Sequence, residues 1–110
     1  MPHIRIRGIE KEVVTAVGKE LVDEMVDLMK CPKEAITLEY IETLYINEGV
    51  ENTGILPMVE IVWFYRGQEV KQEVAQAVTR IIKSQKPLDR VVVYFTDMIK
   101  EHYFVNGGAY

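Results

Sequence analysis

Apolar positions change their period several times along the chain, and each change marks an element. Pro2, Ile4 and Ile6 alternate with His3, Arg5 and Arg7, the period-2 signature of a half-buried strand over residues 2–7. Gly8 ends it. Over residues 10–30, Val14, Val17, Leu21, Met25 and Leu28 recur every three or four positions. Lys19, Glu20, Asp23, Glu24 and Asp27 fall largely opposite them, which predicts an amphipathic helix. Pro32 blocks its continuation. Ile36, Leu38 and Tyr40 alternate with Thr37 and Glu39 and predict a second strand. Asn47, Gly49, Asn52, Gly54 and Pro57 predict a loop over residues 47–57.

The sequence of elements then recurs. Met58 to Tyr65, rich in β-branched and aromatic residues, predicts a strand. A helix follows from Gly67, with Val70, Val74, Ala77, Val78, Ile81 and Ile82 on its apolar side, and Pro87 lies beyond it. Val91 to Phe95 is apolar throughout and predicts a strand covered on both faces. The tail from His102 to Gly108 adds a short edge strand and a turn. Pro2 and Pro57 are 55 residues apart, as are Pro32 and Pro87. At that offset Ile4 matches Val59, Ile6 matches Ile61, Ile36 matches Val91 and Leu38 matches Val93, while the helices slip by about one residue. The chain therefore reads as a single α+β domain over residues 1–110. It is a duplicated βαβ unit (βαββαβ) with pseudo-repeats at 2–46 and 57–105. Each crossover sets its strands parallel in one sheet with the helix on one face. The result is a four-stranded sheet with two helices on one side and a bare face carrying His3, Arg5 and Arg7. Two arrangements satisfy this pattern, ferredoxin-like and tautomerase-like, and they differ in strand order. On pattern alone the commoner ferredoxin-like arrangement is favoured.

At 110 residues the chain fits one domain, and its 48% hydrophobic content suffices for a packed core. A domain this small leaves apolar surface uncovered, which makes self-association an expectation. The net charge of −4, with acids and bases interspersed, argues against nucleic acid as a partner. No apolar stretch of about 18 residues is present, so no membrane span is expected. The N-terminus lacks the apolar core of a secretory signal, and the one cysteine, Cys31, has no internal partner, so a cytoplasmic location is expected. His3 and His102 are too few and too isolated for a metal site. Asn106-Gly107-Gly108 is a turn, and with no helix after it, it is no phosphate loop.

Particular residues carry a family resemblance. Met1-Pro2 runs straight into a strand. Leu88-Asp89-Arg90-Val91, leading to Asp97-Met98, resembles the last long strand of macrophage migration inhibitory factor. Met98-Ile99-Lys100-Glu101-His102-Tyr103, ending in Gly107-Gly108, is similar to the C-terminal stretch of 4-oxalocrotonate tautomerase. Lys30-Cys31-Pro32-Lys33-Glu34-Ala35-Ile36 resembles the helix-to-strand passage of the inhibitory-factor branch. With the duplication, these tip the choice to a tautomerase-like fold, similar to bacterial tautomerase-like proteins that begin Met-Pro-His. The resemblance implies a homotrimer whose sheets pack around a central axis, with each pocket at a subunit interface. It also implies cofactor-free acid–base chemistry on a small 2-oxo acid or its enol.

The same resemblance places Pro2 at the catalytic position. Once Met1 is removed, Pro2 is a secondary amine, and apolar surroundings or nearby cations favour its neutral, basic form. While Met1 remains, that nitrogen is a tertiary amide with no usable lone pair. A second group must stabilise the enolate oxygen. The arginines that 4-oxalocrotonate tautomerase uses have no match here, since the corresponding stretches read Lys11-Glu12 and Val92-Val93. The inhibitory-factor lysine falls at Cys31, flanked by Lys30 and Lys33. Its pocket asparagine falls at Tyr94 and its pocket isoleucine roughly at Trp63. Lys30, Lys33, Trp63, Tyr94 and Tyr103 are thus the candidate substrate contacts. Each also has a plainer reading: the lysines as cations at a helix C-terminus, the aromatics as core or interface residues. Three functions follow: a tautomerase using Pro2, a non-catalytic homotrimer of the same fold with Met1 retained, or a ferredoxin-like binding module.

Overall fold

Two prolines start the two halves of the chain, and each is held by the same backbone bond. In the computed structural model, which describes residues 1–52 and 55–110, the Thr37 amide donates to the Pro2 carbonyl at 3.1 Å. The Val92 amide donates to the Pro57 carbonyl at 2.9 Å. Thr37 and Val92 are themselves 55 apart. The described elements are β1 (His3–Arg7), α1 (Lys11–Met29), β2 (Thr37–Ile41), β3 (Tyr45–Asn47), β4 (Val50–Asn52), β5 (Met58–Trp63), α2 (Gln68–Gln85), β6 (Val92–Asp97), β7 (Phe104–Val105) and β8 (Gly108–Ala109).

The main sheet runs β2-β1-β5-β6. β1 pairs parallel with β2, β5 pairs parallel with β6, and β1 meets β5 antiparallel. This order decides between the two arrangements. A ferredoxin-like sheet splits each βαβ unit, whereas here the two strands of each unit are neighbours. The ferredoxin-like alternative is thereby overturned. The registers repeat at the expected offset: His3 faces Thr37 as Met58 faces Val92, and Arg5 faces Glu39 as Glu60 faces Tyr94. In the antiparallel pair Arg5 faces Glu60, its own equivalent, so the pseudo-twofold axis of the domain passes between them. The helices keep the offset less well, as Leu21 corresponds to Ala77 and Met25 to Ile81, 56 apart.

One face of the sheet is sealed. Ile4, Ile6, Val59, Ile61 and Trp63 point under the helices and are buried, against Val17, Leu21 and Met25 of α1 and Val74, Val78, Ile81 and Ile82 of α2. Arg80 on α2 donates to Glu24 on α1 at 3.0 Å and ties the helices at their outer edge. Trp63 is 0% exposed, and its indole N–H donates to the Asp97 carboxylate at 2.8 Å, which satisfies the one polar atom the ring brings into the core.

The other face is bare in the protomer. It carries His3, Arg5 and Arg7 as the alternation predicts, together with Glu39, Glu60 and Tyr94. Arg5 pairs with both Glu39 and Glu60, Thr96 donates to Glu60 at 2.7 Å, and Arg7 donates to the Tyr94 hydroxyl at 2.9 Å. The expectation that Val91 to Phe95 is covered on both faces is not met within one chain. Val93 and Phe95 pack against the core, while Val92 and Tyr94 share the bare face and stay half-exposed. The apolar run arises because an edge strand on this face still carries valine where a solvated face would carry polar residues.

The predicted loop over 47–57 is corrected in its first half. β3 and β4 form a hairpin whose two-residue turn, Glu48-Gly49, has φ of 51° and 77°. Both values are positive, as a type I′ turn demands, and the turn hid in the sequence behind a glutamate at a position usually given to Asn or Asp. Thr53 and Gly54 of that stretch lie outside the described residues. In the tail, Asn106-Gly107 makes the same kind of turn, with φ of 53° and 78°, between β7 and β8. The short strand expected there pairs within its own hairpin and does not extend the main sheet.

Gly8 shows how tightly β1 ends. Its φ is +82°, and a Cβ there would lie 2.0 Å from the Leu56 carbonyl oxygen and 2.4 Å from the Tyr45 hydroxyl. Gly8→Ala is expected to cost about 2–4 kcal/mol in urea unfolding, through both strain and clash. Gly49→Ala, at a φ of +77° with open space around it, should cost only about 1–2 kcal/mol. Trp63→Phe should lose about 2–3 kcal/mol by removing the bond to Asp97 and part of the ring volume. Equal stability of the Trp63→Phe and wild-type proteins would show that the indole is not a core group.

Candidate functional site

The antiparallel pairing of β1 and β5 sets the start of β1 beside the end of β5, and the parallel pairing of β5 and β6 brings Asp97 next to Trp63. Pro2, the Phe64–Arg66 segment and the Asp97–Tyr103 segment therefore gather at one end of the sheet. The pseudo-twofold axis makes the opposite end equivalent, but there the chain fills the space. Pro57 is preceded by Leu56, whose amide donates to Gly8 at 3.0 Å and whose carbonyl accepts from Tyr45 at 2.7 Å. At the Pro2 end an open cleft lies beside the sheet.

Pro2 is buried at this end, on the helix side of the sheet. The amine of Met1 is held below the ordinary amino range, first by burial and then by the positive charge of Arg66, with Cys31 acting weakly the other way. Arg66 sits half-buried just past β5, fixed at two points. One guanidinium nitrogen donates to the Phe64 carbonyl at 2.8 Å, and its Cζ lies 5.6 Å from the centre of the Trp63 ring. The indole thus supports the arginine from below, and the rest of the guanidinium fork is left for an anion.

A cleft of about 250 Å³ opens alongside, lined by Asp97, Met98, Ile99, His102 and Tyr103. Met98 is anchored by its amide donating to the Trp63 carbonyl at 2.7 Å. Tyr103 comes back from the tail to donate or accept at His3 Nε2, 2.9 Å away, while His3 Nδ1 lies 2.6 Å from the Thr37 hydroxyl. Phe64, Tyr103 and Tyr110 pack ring against ring, with centroids 5.1–5.8 Å apart, and so pin the tail over the end of β5. His3 is held below the ordinary histidine range by burial and by the terminal amine, against a smaller opposing pull from Glu39. The site thus offers a terminal nitrogen kept neutral more readily than usual, a cation, a phenol and an imidazole.

Of the residues singled out in the sequence, this end assembles Pro2 and Tyr103. Trp63 is adjacent but buried, and it acts by carrying Arg66. Tyr94 lies on the bare face, bonded to Arg7. Lys30, in a left-handed conformation at the end of α1, and Lys33, in the short turn after it, are exposed, and the charge of Lys33 acts on Asp23 of α1. Neither lysine is among the groups that act on the terminal amine. Arg66, His3 and Asp97 are additions. Only the antiparallel order of β1 and β5 places Arg66 beside the chain's start, and strand order is what periodicity leaves open. A wider hollow of about 410 Å³ lies on the helix layer between Glu24, Leu28, Glu73 and Arg80, on the far side of the helices from Pro2. Among the described residues no group of three or more His, Cys, Asp or Glu side chains is placed to hold a metal ion, and no helix is long and apolar enough to cross a membrane.

Comparison with known proteins agrees with this architecture. A crystal structure of a domain of unknown function (DUF1904) from Sebaldella termitidis is 35% identical, with all of both chains aligned and a TM-score of 0.89. The macrophage migration inhibitory factor-like protein of Entamoeba histolytica aligns over 99% of this chain and 98% of its own, at 10% identity and a TM-score of 0.77. Native fused 4-OT aligns over 97% and 94%, at 17% identity and a TM-score of 0.80. No curated protein matches the sequence. The last two likenesses show the fold alone, a tautomerase-like one. The model of the domain of unknown function DUF1904 matches residues 1–109, and the chain belongs to that family.

Proposed function

We propose that this protein is a cofactor-independent tautomerase acting on a small 2-oxo acid, with the Pro2 amine as general base after removal of Met1. The observation that carries this reading is the burial of the chain's start beside Arg66, at the end of the sheet where a cleft opens. Burial and the charge of Arg66 hold the Met1 amine below its ordinary range, and the Pro2 amine that replaces it stands in the same surroundings, where the neutral form a base needs is favoured. Arg66 takes the role of the arginines missing at the positions its relatives use: it holds the substrate carboxylate or the developing enolate oxygen. Support comes from two proteins of this fold. Pt0534 has been crystallised inactivated by 2-oxo-3-pentynoate, an acetylenic 2-oxo acid, and fused 4-OT forms a trimer.

We further propose a homotrimer for this chain. The protomer leaves one sheet face bare with Val92 on it, and it exposes Leu44, Ile46 and Val50 around one hairpin and Phe104 and Val105 on another. Val50 and Phe104 are 66% and 61% exposed, more apolar surface than a lone domain gains from showing. In a trimer a neighbouring copy closes the cleft, and Lys30, Lys33 or Tyr94 of that copy reach the substrate.

A second reading is a non-catalytic trimer that keeps Met1. It is favoured by the structural task Pro2 already has, since its carbonyl anchors Thr37 and its ring is buried. The two readings separate on one preparation. The Met1-free protein, verified by mass, should ketonise phenylenolpyruvate, and Pro2→Ala should lower the rate about 10²-fold or more. Undiminished turnover in Pro2→Ala, or none in the Met1-free wild type, would sink the catalytic reading. Arg66→Ala should raise KM about ten- to a hundredfold, the worth of one charge-assisted hydrogen bond. Sedimentation should give a trimer mass for the wild type.

A further inference from the structure

His3 has a place at this end that the proposed chemistry does not yet use. It follows Pro2 directly, and its two ring nitrogens are both engaged by hydroxyls. Nδ1 lies 2.6 Å from Thr37 Oγ1 and Nε2 lies 2.9 Å from the Tyr103 hydroxyl. The Tyr103 ring stacks against the imidazole with centroids 5.9 Å apart, and the same tyrosine lines the cleft. A hydroxyl can either give or take a proton, so this three-member chain runs in either direction.

We propose that His3 and the Pro2 amine act as a proton pair at this end of the sheet, with Tyr103, which lines the cleft, as the group that passes His3's proton to the substrate oxygen. This rests on the tautomerase reading above and adds the acid that it lacks.

The proton balance closes. In enolisation, the neutral Pro2 nitrogen takes the proton from the substrate carbon. The Tyr103 hydroxyl gives its proton to the carbonyl oxygen, and Nε2–H of a charged His3 restores the phenol. One proton leaves carbon and one arrives on oxygen. The positive charge has moved from His3 to Pro2, and neutral His3 now donates Nδ1–H to Thr37 and accepts from Tyr103 at Nε2. Ketonisation runs the same steps backwards, beginning with charged Pro2 and neutral His3. Exchange with water resets the pair.

Such a pair holds one proton between two sites, so each site should disfavour the proton on the other. The terminal amine does push His3 downwards. The other groups facing His3 are Glu39 on β2, Arg5 that pairs with Glu39, and the Tyr103 phenol. Its cross-strand neighbour on β5, Val62, carries no charge. The terminal amine is Met1's in the intact chain and acts after burial; once Met1 is removed, the Pro2 amine takes over as the terminal charge one residue from His3.

The test uses the full-length, Met1-free protein and two readouts. In kinetics of phenylpyruvate enolisation, the direction that begins with neutral Pro2, Tyr103→Phe should lower kcat about 10²-fold with little change in KM. His3→Gln, whose amide still spans two hydroxyls but carries no exchangeable charge, should lose one limb of the kcat–pH profile while unfolding at the wild-type temperature. Unchanged kcat and unchanged limbs in both variants would overturn the proposal. The second readout is imidazole 15N NMR, which needs no turnover. His3 should titrate below the ordinary histidine range and move when Tyr103 becomes Phe or when the terminal amine is acetylated. A wild type without activity would defeat the tautomerase reading alone. A His3 that titrates in the ordinary range and ignores both changes would defeat the pair.

Discussion

The antiparallel pairing of β1 with β5 is the constraint on which the remaining structure depends. Each strand is the central partner of its own parallel βαβ unit, so this one ladder joins two halves that would otherwise bury only one helix each. Its register puts Arg5 opposite Glu60, the two positions that the 55-residue offset makes equivalent. At such a position an identical repeat would set like charges face to face, at a cost comparable to what opposite charges gain. Arginine in one half and glutamate in the other avoids this, and Glu39 completes the row. The pair is partly exposed in the protomer, where its contribution is small. It would gain weight in the proposed trimer if that assembly covers the bare face, because screening by water would then fall.

The same ladder explains why the two halves do different things. It brings the start of β1 to the end of β5 and the start of β5 to the end of β1. At the second junction the chain is continuous through Leu56 and Pro57, and Gly8 lets the Leu56 carbonyl and the Tyr45 hydroxyl close in. At the first, the tail packs over the end of β5 through Tyr103 and Tyr110, and a cleft stays open beside it. Trp63 stands where the other half has Gly8. Its ring seals the core and carries Arg66 on its upper face. Replacing a glycine by a tryptophan across the pseudo-twofold axis is what turns one end into a filled corner and the other into a platform for a cation.

Much of this was legible in the sequence. The period-2 run at Pro2–Arg7 fixed which residues enter the core and which stay on the bare face, and the paired prolines disclosed the duplication. Strand order was not legible, because periodicity records the environment of a strand and not its neighbours. The resemblance at Leu88–Met98 and Met98–Gly108 supplied what the pattern lacked. The site was read less fully. Pro2 and Tyr103 lie at the candidate site, but Arg66 carries no signal in the sequence, because only the antiparallel order of β1 and β5 brings it beside the start of β1. His3 was placed on the correct face, yet its partners lie 34 and 100 residues away, at Thr37 and Tyr103. The hairpin at Tyr45–Asn52 was hidden because Glu48 carries a positive φ that its side chain does not advertise.

The central claim is that the fold makes the nitrogen at the start of β1 a base. The most direct measurement is an NMR titration of the Met1-free protein labelled with 15N-proline, following the Pro2 nitrogen alone. Burial and Arg66 predict that it loses its proton below the ordinary amino range of about 7.7–8.0, and that Arg66→Ala moves the transition upwards. A Pro2 nitrogen that titrates within or above that range, and does not respond to Arg66, would contradict the account.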